Sequence, residues 1–208
     1  MYFCLIFFKM ASIINNFNQL DLNGNYTYAD YLLWHFKERV EIIKGKIFKM
    51  SPAPNRFHQD TSWLIGRELD KTFGKTKCKM YAAPFDVRLI DYKKSIDDNQ
   101  ITSVVQPDLC VVCDTKKLDD KGCLGAPDLI IEIMSPGNSK REMTLKFDLY
   151  QENKVSEYWI VNQSDKTILV YVLKDDKYIG LKPFTEDCKI ESPTFPKLKF
   201  AVKNVFEQ

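Results

Sequence analysis

The sequence lacks an excess of charge of one sign, a low-complexity segment and a long apolar run. Its 30 Lys and Arg residues barely exceed its 28 Asp and Glu residues. Net charge therefore gives no indication of a nucleic-acid partner, although it does not exclude a local basic cleft. The 8 glycines and 9 prolines do not exceed average usage, which excludes collagen-like and Gly/Pro-rich disordered chains. A length of 208 residues suits one globular domain.

A short apolar run, Tyr2 to Phe8, lies near the start of the chain. A bilayer span takes roughly 20 apolar residues, and this run also lacks the basic start and the cleavage site of a secretion signal. We therefore expect a cytoplasmic protein without a membrane anchor. Residues 1–20 are expected to form an N-terminal tail and residues 21–208 a single domain.

The six cysteines give one C-x-x-C pair, Cys110 and Cys113, and no second pair that would complete a zinc site. The pair lies in the apolar run 109–113, which predicts a β-strand, and a strand points residues 110 and 113 to opposite faces. Opposite faces are poor geometry for a shared metal ion. We therefore expect free thiols in a reducing compartment.

Hydrophobic spacing and turn residues predict alternating helices and strands. Thr27 is a candidate N-cap of a short helix, and Lys44-Gly45 predicts the turn of a hairpin. The apolar runs 104–112 and 129–134, each introduced or interrupted by Pro-Asp, are typical of central strands covered on both faces. The other predicted elements are helices at 56–73 and 139–153, strands at 80–90, 157–161 and 167–173, a loop at 91–100 and a hairpin at 175–179. This order predicts an α/β or α+β domain with a mixed β-sheet flanked by helices.

Two carboxylates stand in these central runs, where an ionised group is costly unless it is paired or binds a metal ion. Asp108 lies at the entrance of one run, a position where aspartate also caps turns, so a purely structural role stays open. Glu132 is flanked by apolar residues on both sides, which favours a specific partner.

Lys146 is a candidate for that partner. In a helical projection of 139–153 it falls between Leu149 and Tyr150, within the arc that faces the sheet. Two structural alternatives stay open: the lysine extends to solvent, or it pairs with Glu142 one turn earlier.

Three further features have a functional and a structural interpretation. His58 lies on the inner face of the 56–73 helix, where it contacts a phosphate or the acidic residues, or is a core histidine. Asp86 is a metal ligand or, as we favour, the partner of Arg88 or another neighbour. The basic run from Arg67 to Lys79 follows a DNA backbone or is a solvated face.

Several of these segments together resemble a known family. Gln106-Pro107-Asp108 followed by Pro127-Asp128 and the run to Glu132 is similar to the PD-(D/E)XK nuclease signature. The surrounding sequence resembles the Uma-two family of restriction-type endonucleases from about residue 26 to residue 178. The segments that carry this likeness are 40–47, Ser51-Pro52-Ala53-Pro54, 83–89 and 157–161.

The resemblance implies a restriction-endonuclease-like fold and Mg²⁺-dependent hydrolysis of DNA, with Mn²⁺ as a possible substitute. It implies that Asp108, Glu132 and Glu41 are metal ligands, Glu41 either directly or through a further contact. The lysine position of the signature is Met134 here, so the resemblance implies that Lys146 takes the lysine's catalytic role. A homodimer is expected from the class, and we expect Tyr171 and Tyr178 to be exposed aromatic residues that could serve its interface. The alternative function is a catalytically silent nuclease-fold module that binds nucleic acid or protein.

Overall fold

The structure is a computed structural model that describes residues 13–50, 54–90, 96–135 and 140–207. Outside these ranges lie most of the predicted N-terminal tail with Cys4, the Ser51-Pro52-Ala53 part of the family likeness, the first half of the 91–100 loop and residues 136–139, the last of which was predicted to begin a helix. Within the described ranges, no helix is long and apolar enough to cross a membrane.

Three α-helices occur in the described ranges, and all three were predicted: α1 (Tyr28–Tyr31), α2 (Arg56–Phe73) and α3 (Lys140–Glu152). The Thr27 side chain caps α1 by accepting a hydrogen bond from the backbone of Asp30. The Asn55 side chain caps α2 in the same way, accepting from the backbone of His58. These caps fix where each helix begins.

Strands in the first half of the chain are β1 (Val40–Ile43), β2 (Lys46–Lys49), β3 (Lys79–Ala82), β4 (Val87–Leu89), β5 (Ser103–Val105), β6 (Leu109–Val112), β7 (Leu118–Asp119) and β8 (Gly122–Leu124). The remaining strands are β9 (Leu129–Ile133), β10 (Glu157–Asn162), β11 (Thr167–Lys174), β12 (Lys177–Gly180), β13 (Phe184–Thr185), β14 (Lys189–Glu191) and β15 (Lys199–Ala201). The short strands β7, β8 and β13 to β15 were not predicted.

Two sheets form the body of the protein. One has the strand order β12-β11-β10-β9-β6-β3, with β13 beside β11, and its β9 and β10 are parallel. The other has the order β2-β1-β5-β4-β8-β7. A third sheet pairs β14 with β15.

The first sheet is covered on both faces, as its apolar central strands predict. On one face, Ile65 and Leu69 of α2 pack against Leu129 and Ile131 of β9. On the other face, Leu149 of α3 and residues of the second sheet pack against the opposite side of β9. The side chains of β9 are therefore buried on both faces, except that Glu132 is partly exposed.

Two long strands predicted from the sequence are each divided. The run 80–90 is interrupted at Ala83-Pro84, and the run 104–112 at Pro107. Proline has no backbone N–H to donate to a neighbouring strand, so the ladder ends there. In both runs one half joins the first sheet and the other half joins the second.

The prediction of free thiols is wrong for one pair, because Cys78 and Cys113 form a disulfide. Cys78 precedes β3 and Cys113 follows β6, and the antiparallel pairing of Lys79 with Val112 sets the two cysteines opposite each other. Cys110, Cys123 and Cys188 carry free thiols. Cys110 and Cys113 pack on opposite faces of the sheet, as predicted.

The description of Tyr171 and Tyr178 as exposed aromatic residues is also wrong. Both rings are partly buried and lie edge-on to Phe147 of α3, with centroids 4.9 Å and 5.2 Å away. They hold α3 against the first sheet, since buried aromatic pairs of this kind favour edge-to-face contact.

Candidate active site

Strand pairing brings Asp108 next to the end of β9. Leu109 of β6 pairs with Ile131 of β9, so Asp108, one residue before β6, lies beside the end of β9. The backbone N–H of Ile133 donates to Asp108 Oδ2 at 2.7 Å. This bond fixes the carboxylate beside the strand that carries Glu132.

Lys146 connects the two glutamates that the sequence singles out. Its ammonium donates to Glu41 Oε1 and to Glu132 Oε1, each at 3.0 Å. Lys146 is 7 % exposed and Glu41 is 1 % exposed. The lysine therefore faces the sheet, as the helical projection predicts, and its ammonium contacts Glu41 of β1 and Glu132 of β9.

Glu132 has a second partner that sequence analysis missed. The hydroxyl of Tyr150, one turn after Lys146 on α3, donates to Glu132 Oε1 at 2.6 Å. Burial raises the pKa of Glu132 to about 7, against the opposing effect of the Lys146 charge. Burial alone would lower the pKa of Lys146, but Glu132 and Glu41 raise it well above its usual value. The lysine therefore stays charged at neutral pH.

His58 contacts the other carboxylate. Its Nε2 lies 3.3 Å from Asp108 Oδ2, and its buried Nδ1 has no hydrogen-bond partner among the described residues. Burial lowers the pKa of His58, but the hydrogen bond and charge of Asp108 outweigh this and raise it. Of the two interpretations of His58, the structure therefore supports contact with the acidic residues.

These groups line a pocket of about 100 Å³. Asp108, Glu132, Lys146 and His58 all contribute to its wall. Glu41 does not, so it reaches the pocket only through the ammonium of Lys146.

Gln106 is a second residue that sequence analysis did not single out, although it stands directly before Pro107-Asp108. Its backbone N–H donates to Glu41 Oε1 at 2.8 Å, and its side chain lines the pocket. Its side-chain amide donates to Asp86 Oδ1 at 2.8 Å. Asp86 thus has a neighbour as partner, as we favoured, but that neighbour is Gln106, since Arg88 contacts Asp119 instead.

The basic run after residue 66 lies at the surface. Arg67, Lys71, Lys75, Lys77 and Lys79 are all exposed. Lys71 contacts Glu68 at 2.7 Å. None of these five residues lines the pocket that holds Asp108 and Glu132.

The donor set suits a hard cation that keeps part of its water shell. Among the described residues, no three His, Cys, Asp or Glu side chains are grouped so that they could hold a metal ion by themselves. Mg²⁺ is typically bound by one or two carboxylates together with water and substrate phosphate. Asp108 Oδ1 and Glu132 Oε2 accept no hydrogen bond from the described residues and belong to side chains that line the pocket. Two carboxylate oxygens at the pocket are therefore available as ligands for an ion of this kind.

A solved structure shares this fold. The crystal structure of a "putative nuclease belonging to DUF820" from Anabaena variabilis matches with a TM-score of 0.66 and 18 % sequence identity, over 87 % of this chain and 97 % of that chain. The predicted fold class, a restriction-endonuclease-like mixed β-sheet flanked by helices, is confirmed. No curated protein matches the chain.

The family comparison covers most of the chain. The model of the Uma2 family, described as "Putative restriction endonuclease", matches residues 28–203. The protein therefore belongs to the Uma2 family.

Proposed function

We propose that the protein is a Mg²⁺-dependent endonuclease that hydrolyses DNA phosphodiester bonds in the pocket between Asp108 and Glu132. The observation that supports this best is the buried Lys146 ammonium, which two carboxylates hold at the wall of a pocket that also contains Asp108. The family's description supports nuclease chemistry in general. DNA as the substrate, cytoplasmic location and a homodimer remain proposals.

Asp108 and Glu132 would hold the metal ion, each through the carboxylate oxygen that has no described donor. A bound Mg²⁺ supplies an activated water and neutralises charge on the phosphate oxygens. Mn²⁺ prefers similar oxygen ligands and is expected to substitute.

Lys146 would stabilise the negative charge that develops on the phosphate during attack. A cation that is already oriented does this without reorganising in the transition state. Its two contacts to Glu41 and Glu132 provide that orientation.

Glu41 would serve the site by holding Lys146. Its side chain is 1 % exposed, and its Oε1 already accepts from Lys146 and from the backbone of Gln106. Of the two roles that the resemblance leaves open for Glu41, direct ligand or further contact, this geometry favours the second.

A plasmid-nicking assay with Mg²⁺ or Mn²⁺ tests the proposal. Asp108→Asn, Glu132→Gln and Lys146→Met are each expected to lower the rate by roughly 100-fold or more, the scale seen when one oriented electrostatic group is removed. Lys189→Ala, which removes an exposed positive charge on β14, is the control and is expected to keep full activity. Unchanged nicking in all three site variants would overturn the assignment. Binding of DNA without any cleavage by the wild type would favour the silent-module alternative.

A further inference from the structure

Arg39 is a cation at the same pocket that the proposed chemistry does not use. It precedes β1, its backbone oxygen accepts from the backbone N–H of Met50, and its side chain lines the pocket with Asp108 and Lys146. The side chain is exposed. A guanidinium in this position can meet a ligand that enters the pocket.

The guanidinium is held by an amide rather than by an acid. Its Nε and Nη2 donate to Gln106 Oε1 at 3.2 Å and 2.8 Å. Arg39 forms no ion pair with a described residue, whereas Arg56 contacts Asp60 at 2.9 Å and Arg88 contacts Asp119. The guanidinium of Arg39 is therefore fixed in place without a carboxylate in direct contact, and its Nη1 has no described acceptor.

Asp86 determines which way Gln106 points. An ionised carboxylate only accepts hydrogen bonds, so it must face the NH₂ end of the amide, which it does at 2.8 Å. The carbonyl end of Gln106 then faces Arg39. The hydroxyl of Tyr31, 3.5 Å from Asp86 Oδ1, lies on the same side as the carboxylate.

We propose that Arg39 is a phosphate-binding residue that contacts a backbone phosphate of the nucleic-acid strand in the pocket, and that Gln106 and Asp86 are its positioning residues. The assignment rests on the proposed function, because it takes a nucleic acid as the ligand. A planar guanidinium with free N–H groups matches phosphate oxygens, and phosphate contacts fix the register of a strand relative to a site. The contact would hold the strand while Lys146 acts at the reacting phosphate.

The salt dependence of DNA binding tests the phosphate contact, because loss of a purely structural residue leaves this dependence unchanged. Fluorescence anisotropy of a labelled DNA duplex would be measured in EDTA, which prevents metal-dependent cleavage, over a range of KCl concentrations. Loss of one phosphate contact reduces the slope of log K against log[salt] by about 0.9 for duplex DNA. We expect this reduction for Arg39→Ala, and an unchanged slope for Arg39→Lys, which keeps the charge. Lys189→Ala is the control for removing a positive charge elsewhere.

The positioning role is tested with Asp86→Asn, which keeps the size of the side chain but lets the Gln106 amide reverse. Asp86→Asn alone is expected to weaken binding, and to add nothing in the Arg39→Ala background, because residues that act through one another are not additive. If Asp86→Asn lowers the DNA affinity equally in the wild-type and the Arg39→Ala backgrounds, the positioning role is overturned. If Arg39→Ala binds DNA normally and with the wild-type salt slope, the phosphate contact is overturned but the proposed function is not. Wild-type protein that does not bind DNA overturns the proposed function, and this assignment with it.

Discussion

Replacing Lys146 by methionine removes the charge between two buried carboxylates and keeps most of the side-chain volume. Glu41 and Glu132 would then lie in the protein interior without a cation. Breaking a buried ion pair by removing one partner costs about 3–5 kcal/mol, because the remaining charge keeps its desolvation cost. We expect Lys146→Met to lower the free energy of unfolding by about that amount at neutral pH.

Urea unfolding followed by tryptophan fluorescence measures this loss of unfolding free energy, since Trp159 is fully buried in the first sheet. Lys154→Met is the matched control. Lys154 contacts Asp176 at 3.0 Å with both side chains more than half exposed, so its loss is expected to cost no more than about 1 kcal/mol. Adding Glu41→Gln to Lys146→Met is expected to recover part of the stability. Equal losses in Lys146→Met and Lys154→Met would refute the reasoning.

Three further predictions concern groups around the site and in the sheet. First, Glu132 has a folded-state pKa of about 7 against an ordinary value of 4.5, so the folded state binds this proton more tightly. The metal-free protein should therefore lose stability from this group as pH rises from 4.5 to 7, and Glu132→Gln should abolish that part of the pH dependence of urea unfolding. Second, Tyr150→Phe removes a hydrogen bond to Glu132 and should cost about 1.5–3 kcal/mol in the same assay above pH 7, where this carboxylate is charged, so a neutral result there contradicts the contact. Third, Cys78→Ser opens a loop closed over 35 residues and should cost about 2–4 kcal/mol, while reductant should destabilise the wild type but not the variant.

Local sequence signals predicted the parts of the fold that local physics determines. The apolar face of α2 and the N-cap Thr27 act within a few residues, so periodicity and capping rules find them. The same holds for Lys146, because its place in the sheet-facing arc depends only on the helix repeat. The two long strands were predicted wrongly because continuous apolar runs hide the change of sheet at Ala83-Pro84 and at Pro107.

Contacts between distant segments could not be predicted in this way. Gln106 contacts Glu41 and Asp86, which are 65 and 20 residues away, and nothing in its own neighbourhood indicates either partner. The disulfide has the same origin, since Cys78 and Cys113 meet only when β3 pairs with β6. Glu132 was identifiable because a carboxylate in an apolar strand requires a partner, yet the contribution of Tyr150 depends on how α3 packs.

Calorimetric titration of the metal-free protein with Mn²⁺ tests the central claim most directly, because it measures metal binding apart from any DNA. We expect saturable binding by the wild type that is lost in both Asp108→Asn and Glu132→Gln and retained in Lys189→Ala. Wild-type affinity in either site variant would contradict the claim that these two carboxylates together hold the ion.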